Sequence, residues 1–145
     1  MQHRLRPTTA ALLILGLLSM CAVAFAAAPK KGGRYVGSSG AGYPLHFRVS
    51  KDAKSVDRLV VRFNPTCEAA TGNTPAKFSF GPRRIRGGRF SGQSVVHRGP
   101  TETLTLRISG RFAAGGTAGG QVTATQQVKS LGKCKETSPF TAAVK

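Results

Sequence analysis

The stretch that decides the fold is "TLTLRIS", Thr103–Ser109, in which every second residue is apolar. Leu104, Leu106 and Ile108 fall on one side of an extended chain, and the Thr and Arg residues between them fall on the other. Successive side chains of a β-strand point to opposite faces of the sheet, so this alternation predicts a strand with one buried face. Such strands are typical of antiparallel sheets.

The same alternation recurs along the chain. "PLHFRVS" (44–50) repeats it, "QVTATQQV" (121–128) and "PFTAAVK" (139–145) repeat it more weakly, and "VDRLVVRF" (56–63) is apolar enough to lie mid-sheet. Clusters rich in Gly, Pro, Asp and Ser separate the runs, about one for every ten residues, and we find no convincing helical period outside the first 26 residues. The sequence therefore predicts one all-β domain, an antiparallel β-sandwich or a flattened up-and-down barrel of about eight strands.

Residues 1–26 have the pattern of an export signal. A short basic start is followed by an apolar run, 11–26, that ends in the small-x-small triplet Ala24-Phe25-Ala26. This pattern predicts a signal-peptide helix that is cleaved after Ala26, and a secreted or cell-envelope protein. A retained membrane anchor and a lipidated Cys21 are the alternatives. Residues 27–33 are then expected to be a flexible lead-in, and 34–145 to be the β domain.

The chain is strongly basic. Its formal net charge is +17, and +15 remains on residues 27–145. Such a charge predicts anionic surroundings: cell-wall polymer, acidic polysaccharide, anionic lipid or nucleic acid. Export and the apolar-face positions of most aromatics argue against a dedicated nucleic-acid partner. A GC-rich genome, which favours Arg, Ala and Gly, is the alternative explanation. We expect a monomer.

The densest charge lies in "PRRIRGGR" (82–89), whose "RRIR" core matches a pattern typical of sulfated-polysaccharide sites. Guanidinium groups bind phosphate and sulfate through paired hydrogen bonds. The predicted polyanion-binding residues are Arg83, Arg84, Arg86 and Arg89. The alternative is an edge strand with Ile85 in the core and the arginines facing outward, where they would block aggregation. Residues that could extend the basic surface are Arg48, Arg62 and Arg107.

Three related segments are spaced along the chain: "GGRYVG" (32–37), "GGRFSG" (87–92) and "SGRFAAGG" (109–116). Glycine allows turn conformations that other residues avoid. An aromatic residue and a glycine two positions later share a face of a strand, where the ring can pack over the glycine. The repeat therefore indicates a fold element rather than a binding motif.

Cleavage after Ala26 would leave two cysteines, Cys67 and Cys134. In an exported protein two cysteines most simply form one disulfide. The long loop that it closes corresponds to at most about 4 kcal/mol of chain entropy. Such a bond would tie the irregular stretch 68–76 to the final strand. Metal binding and a reactive thiol are the alternatives.

The chain is poor in residues that carry out catalysis. After residue 26 it has two histidines, His46 and His97, and five dispersed acids. Neither a GxSxG elbow nor an HExxH zinc motif is present, and the phosphate-binding and dinucleotide-binding glycine motifs are also missing. The sequence predicts a protein that is not an enzyme and needs no cofactor or metal.

Taken together, these elements resemble a group of uncharacterised small secreted β-domain proteins of high-GC soil bacteria. That group runs as Gly-x-Tyr-x-Gly, a strand with F-x-V-S, a cysteine, I-x-x-G-x-F-S-G, S-G-x-F, and a late cysteine before an aromatic strand. The corresponding positions here are 33–37, 47–50, Cys67, 85–92, 109–112, Cys134 and Phe140. The late aromatic is often Trp in the group and is Phe here. The resemblance implies export and an antiparallel β fold, and no catalytic activity.

The sequence thus predicts a secreted non-enzymatic β domain that binds anionic cell-wall or extracellular polymer through a basic surface. A carrier with a small-ligand pocket in a barrel mouth is one alternative. Avidin-like barrels are a looser likeness of this kind, but the tryptophans that line their cavities are missing here. The other alternative is an inhibitor or interaction module that uses the stretch 68–76.

Overall fold

The structure, a computed structural model, describes residues 26–64, 75–130 and 132–145. Within these ranges the chain forms nine β-strands and no helix, so none of the described segments is a helix able to cross a membrane. The strands are β1 (Arg34–Ser39), β2 (Pro44–Val49), β3 (Ser55–Phe63), β4 (Ala76–Phe80), β5 (Arg83–Arg84), β6 (Arg89–Arg98), β7 (Glu102–Ala113), β8 (Thr117–Val128) and β9 (Gly132–Val144). The predicted signal peptide lies outside the described residues, apart from Ala26.

The strands form one antiparallel sheet in the order β4-β3-β2-β1-β9-β8-β7-β6, with the short β5 beside β3. Two meanders, β1–β4 and β6–β9, are joined where the first strand pairs with the last, with Tyr35 opposite Val144. The sheet curls into a nearly closed barrel. The prediction of an antiparallel all-β fold with about eight strands is confirmed. The additional strand is β5, which is only two residues long.

The barrel has a seam between β4 and β6, which approach each other without forming a ladder. Side chains bridge this seam instead. The Ser94 hydroxyl donates a hydrogen bond to the backbone oxygen of Ser79 at 2.9 Å, and the Arg83 guanidinium donates one to the backbone oxygen of Gln93 at 3.3 Å. At the seam, side-chain hydrogen bonds therefore connect the two meanders in place of a backbone ladder.

The alternation seen in the sequence sorts residues to the inside and outside of the barrel. Leu104, Leu106 and Ile108 are at most 2% exposed, and the residues between them face outward. The largest fully buried side chains of the described residues are Tyr35, Leu45, Phe47, Val49, Leu59, Phe63, Phe78, Leu104, Leu106, Phe112, Gln126 and Phe140. These inward side chains pack together into one core.

The aromatic residues of the three repeats meet inside this core. The Phe112 ring lies 5.4 Å from that of Tyr35 and 5.5 Å from that of Phe90, measured between centroids. Phe47 stacks on Tyr35 at 4.8 Å. The repeat therefore supplies inward rings from three different strands, as its interpretation as a fold element requires.

Inward glycines let the backbone lie close over these rings. A Cβ atom at Gly110 would come within 2.5 Å of the Phe90 ring, and one at Gly120 would overlap the backbone oxygen of Ser109. The backbones of β7 and β8 therefore lie close to the inward side of the sheet at these positions. Side chains at these positions would force the strands apart.

Residues 27–33, expected to be a flexible lead-in, make several hydrogen bonds to the barrel. The Ala27 amide donates to the Phe112 oxygen at 2.9 Å, and the Lys30 amide donates to the Tyr35 hydroxyl at 3.1 Å. The segment lies along one end of the barrel and ends where β1 begins.

Candidate functional site

A two-residue turn places the first pair of arginines. Arg86 and Arg89 exchange two backbone hydrogen bonds of 2.9 Å across Gly87 and Gly88. Both glycines have positive φ, 53° and 68°, as a type I′ turn requires. Other residues adopt this backbone poorly, so "RGGR" dictates locally that the two arginines face each other.

A third arginine extends this pair into a row. In the ladder between β6 and β7, Arg89 lies directly opposite Arg111. Arg86, Arg89 and Arg111 are all exposed, and Arg89 and Arg111 lie on the outward faces of β6 and β7. Directly opposed residues in antiparallel strands have Cα atoms about 4.5 to 5.5 Å apart, and like charges in such pairs destabilise the sheet. An anion bound between these guanidinium groups would remove that repulsion.

The row of arginines borders an open trough of about 1250 Å³ on the outside of the barrel. The register continues the row across β8, β9 and β1 through Gly119, Thr141 and Ser38, whose side chains are small or absent. The trough thus has a neutral floor and a basic end. Its four arginines are Arg84, Arg86, Arg89 and Arg111.

The acids of the described residues all lie elsewhere. Glu102 and Glu136 share strand faces with core residues, Glu102 being buried and Glu136 half-buried. Asp52 lies in the turn between β2 and β3, and Asp57 lies on β3. No carboxylate of the described residues lines the trough. The guanidinium groups are therefore available for phosphate, sulfate or carboxylate groups from outside.

Of the four arginines predicted from the sequence, Arg84, Arg86 and Arg89 line the trough and Arg83 does not. Arg83 is half-buried at the seam, where a Cβ atom on Gly92 would lie 2.9 Å from its Nε atom. Together with its hydrogen bond to Gln93, this packing gives Arg83 a role in closing the barrel. Ile85, beside it, packs against the core.

The other arginines named from the sequence divide between the two meanders. Arg48 and Arg62 lie on β2 and β3, outside the trough. Arg107 lies on β7 and shares the outward face with Arg111, and its Nε atom donates to the Gln93 side-chain oxygen at 2.8 Å. A single basic surface that includes all three is therefore not formed.

Of the four arginines that line the trough, Arg111 is the one that was not predicted from the sequence. A signal for it exists in the third repeat, "SGRF", which has the same Arg-aromatic order as "GGRF". When the aromatic residue faces the core, the arginine before it must face outward. What the repeat does not tell is that Arg111 lies opposite Arg89, because that depends on strand register.

The predicted disulfide falls partly outside the described residues. Cys134 is half-buried on β9, and Cys67 belongs to the stretch 65–74 that the structure does not describe, so the pairing stays a prediction. The exposed His46 and His97 lie on different strands, and neither lines the trough. Among the described residues no group of three or more His, Cys, Asp or Glu side chains could hold a metal ion.

No protein-family model and no curated protein sequence matches this chain. The function therefore has to be inferred from the geometry and charge of the trough itself.

Proposed function

We propose that this protein is a secreted, non-enzymatic β-domain protein that binds an anionic polymer of the cell envelope or extracellular space through the trough. The observation that carries the proposal is the row of Arg86, Arg89 and Arg111, which the register brings together without a neighbouring described carboxylate. Such a row is unfavourable on its own and becomes favourable when an anion binds.

The shape of the trough favours a polymer over a small ion. The trough crosses five strands, from β6 to β1, and strands spaced about 4.8 Å apart give it a length of roughly 20 Å. It is open to solvent at the surface, whereas the inward side chains of the barrel fill the interior. These features support surface binding of an extended chain rather than a small-ligand pocket in the barrel mouth.

The proposal includes export with cleavage after Ala26 and a disulfide between Cys67 and Cys134. In support of the bond, two cysteines in an exported protein most simply pair with each other. We expect the intact mass of the secreted protein to show an N-terminus at Ala27 and no alkylation of thiols before reduction. Two alkylated thiols in the unreduced protein would contradict the disulfide.

Chromatography on immobilised heparin and on teichoic acid tests the binding. We expect the triple variant Arg86, Arg89, Arg111→Gln to elute at clearly lower salt than the wild-type protein, because it removes the basic end of the trough. The matched control is Arg34, Arg62, Lys77→Gln, which removes the same charge from exposed positions on β1, β3 and β4. If the two variants elute together, net charge alone explains the retention and the proposed site is wrong.

A further inference from the structure

A second basic depression lies on the same outward face as the trough. It has a volume of about 410 Å³, and its three cations are Arg107, Lys133 and Lys135. The hydrogen bond from Arg107 to Gln93 orients the guanidinium along the surface. The remaining lining is polar and uncharged, and consists of Gln93, Thr105, Thr123 and Thr125.

The register relates the two basic sites to each other. Arg107 and Arg111 lie four residues apart on β7, about 13 Å along the strand. Lys133 lies opposite Gln127 on β8, which lies opposite Thr103 on β7, so Lys133 is two strands away from β7. With the usual rise and strand spacing, the span from Arg89 to Lys133 is about 30 Å.

The side of the trough that faces the second depression carries hydroxyl and amide groups. Ser91, Ser109 and Gln121 form the row next to the arginines, and all three are exposed. Among the described residues no carboxylate lines either site, and no aromatic side chain is exposed. This arrangement suits a chain whose anionic groups alternate with hydroxyl-bearing units, because hydroxyl and amide side chains can both donate and accept. A single-stranded nucleic acid would gain affinity from exposed rings for its bases to stack on, and the described surface offers none.

We infer that the trough and the second depression bind one linear anionic polysaccharide at two points. This inference rests on the proposed function and adds to it the class of polymer and a minimum length. When one end is bound, the other end is held at high effective concentration near the second site, provided that the chain can reach it. A chain must be at least about 13 Å long to reach from Arg111 to Arg107, and about 30 Å long to contact all the cations of both sites.

The test is a titration of the secreted protein with heparin oligosaccharides of defined length, followed by calorimetry. We expect the affinity to rise at least tenfold as the length increases from about 13 Å to about 30 Å, and to level off for longer chains. The variant Arg107, Lys133, Lys135→Gln should abolish this step, with little change in the affinity of oligosaccharides too short to span the two sites. The control Arg34, Arg62, Lys77→Gln should retain the step, and thermal unfolding checks that both variants fold.

The possible results separate the two proposals. A rise of affinity with length that does not level off, or a step that survives in the Arg107, Lys133, Lys135→Gln variant, would overturn the two-point inference and leave the proposed function standing. Binding of single-stranded DNA as tight as that of heparin of equal length would overturn the assignment to a polysaccharide. Failure of heparin and teichoic acid of every length to bind would instead overturn the proposed function.

Discussion

Each of the two meanders has a pair of arginines opposite each other on neighbouring strands, but among the described residues only the first has a carboxylate next to its pair. Arg34 lies opposite Arg48 in the first meander, β1–β4, and Arg89 lies opposite Arg111 in the second, β6–β9. On its other side Arg48 has Asp57 as its cross-strand partner, so a carboxylate of the same sheet offsets the repulsion. No described carboxylate faces outward on the second meander. The comparison indicates that an outward carboxylate lies beside the opposed arginines of the first meander, whereas in the second meander Arg98 pairs with the inward Glu102 and no described carboxylate lies beside Arg89 and Arg111.

Strand length supports the proposal that most of the binding surface lies on the second meander. Its strands have 10 to 13 residues, whereas β1 to β4 have five to nine. The ladder of β2 and β3 also changes register between His46 and Arg48. Outward rows in the second meander run without such a break, so cations from several strands stay aligned and separated by regular distances.

The largest effect is expected from a methyl group at Gly120, where β8 lies close to the backbone of β7. We expect Gly120→Ala to lower the free energy of unfolding by about 3 kcal/mol or more, because its Cβ atom would overlap the backbone of Ser109. The neighbouring Gly119→Ala is the control, since its Cβ atom would meet its nearest neighbour, the Phe140 oxygen, at 3.4 Å. Thermal unfolding measures both. Equal stability of the two variants would contradict the close approach of the strands at Gly120.

The next effect comes from giving the second meander a carboxylate like that of the first. Gly119 follows Arg111 in the trough row, so Gly119→Glu should place a negative charge beside the arginines. We expect polyanion affinity to fall roughly tenfold, because the new carboxylate competes for the guanidinium groups and repels the ligand. The uncharged control Gly119→Gln has nearly the same size. If both variants weaken binding equally in heparin titrations, the loss is steric and not electrostatic.

A smaller effect concerns the stability of the unliganded protein. We expect Arg89→Gln to raise the free energy of unfolding by about 0.5 kcal/mol at low salt, because it removes a like-charged cross-strand pair. High salt should shrink the gain through screening. In the first meander Arg48→Gln should give no such gain, since the change also removes the charge opposite Asp57 and the hydrogen bond that the Arg48 Nε atom donates to the Gly32 oxygen. A loss of stability in Arg89→Gln, measured by denaturant unfolding, would show that the row is already neutralised.

The smallest effect is expected at Asp52, whose hydrogen bonds lie within the turn between β2 and β3 of the first meander. The Ser50 hydroxyl and the Lys54 backbone amide donate to the Asp52 carboxylate, and these bonds hold its pKa below the usual 3.8. A lowered pKa in the folded state means that Asp52 stabilises the fold above its unfolded pKa, and that this contribution is lost as the pH falls through the lowered value. Asp52→Asn should therefore be slightly less stable than the wild-type protein near neutral pH and equal to it in strong acid. A difference that persists in strong acid would assign the effect to something other than the charge.

The strands could be predicted from the sequence because most inward side chains are apolar and most outward ones polar, as in Leu104 to Ile108. The Gly87-Gly88 turn likewise allows the pairing of Arg86 with Arg89 to be foreseen, since its chemistry is local. The position of Arg83 could not be foreseen. It depends on two long-range arrangements. The strand β5 follows β4 in the chain but pairs with a different part of β3, and β6 lies beside β4 at the seam.

Long-range register accounts for the rest of the site. The pairing of Arg89 with Arg111 and the approach of Lys133 to Arg107 depend on how β6 to β9 align over their full length. A shift of one residue would turn every side chain of a strand to the other face. The sequence shows which residues face outward, but only the assembled sheet shows which of them are neighbours.

The pairing of β1 with β9 has a consequence for the order of folding. Tyr35 and Val144 are neighbours in the sheet but lie at opposite ends of the domain. Closing so long a segment is entropically unfavourable until many contacts form together, whereas the hairpins of β6–β9 join residues that are close in the chain. We therefore expect the ladder between β1 and β9 to form last, after the hairpins of both meanders. Because the trough runs from β6 to β1, the proposed binding surface would be complete only when the barrel closes.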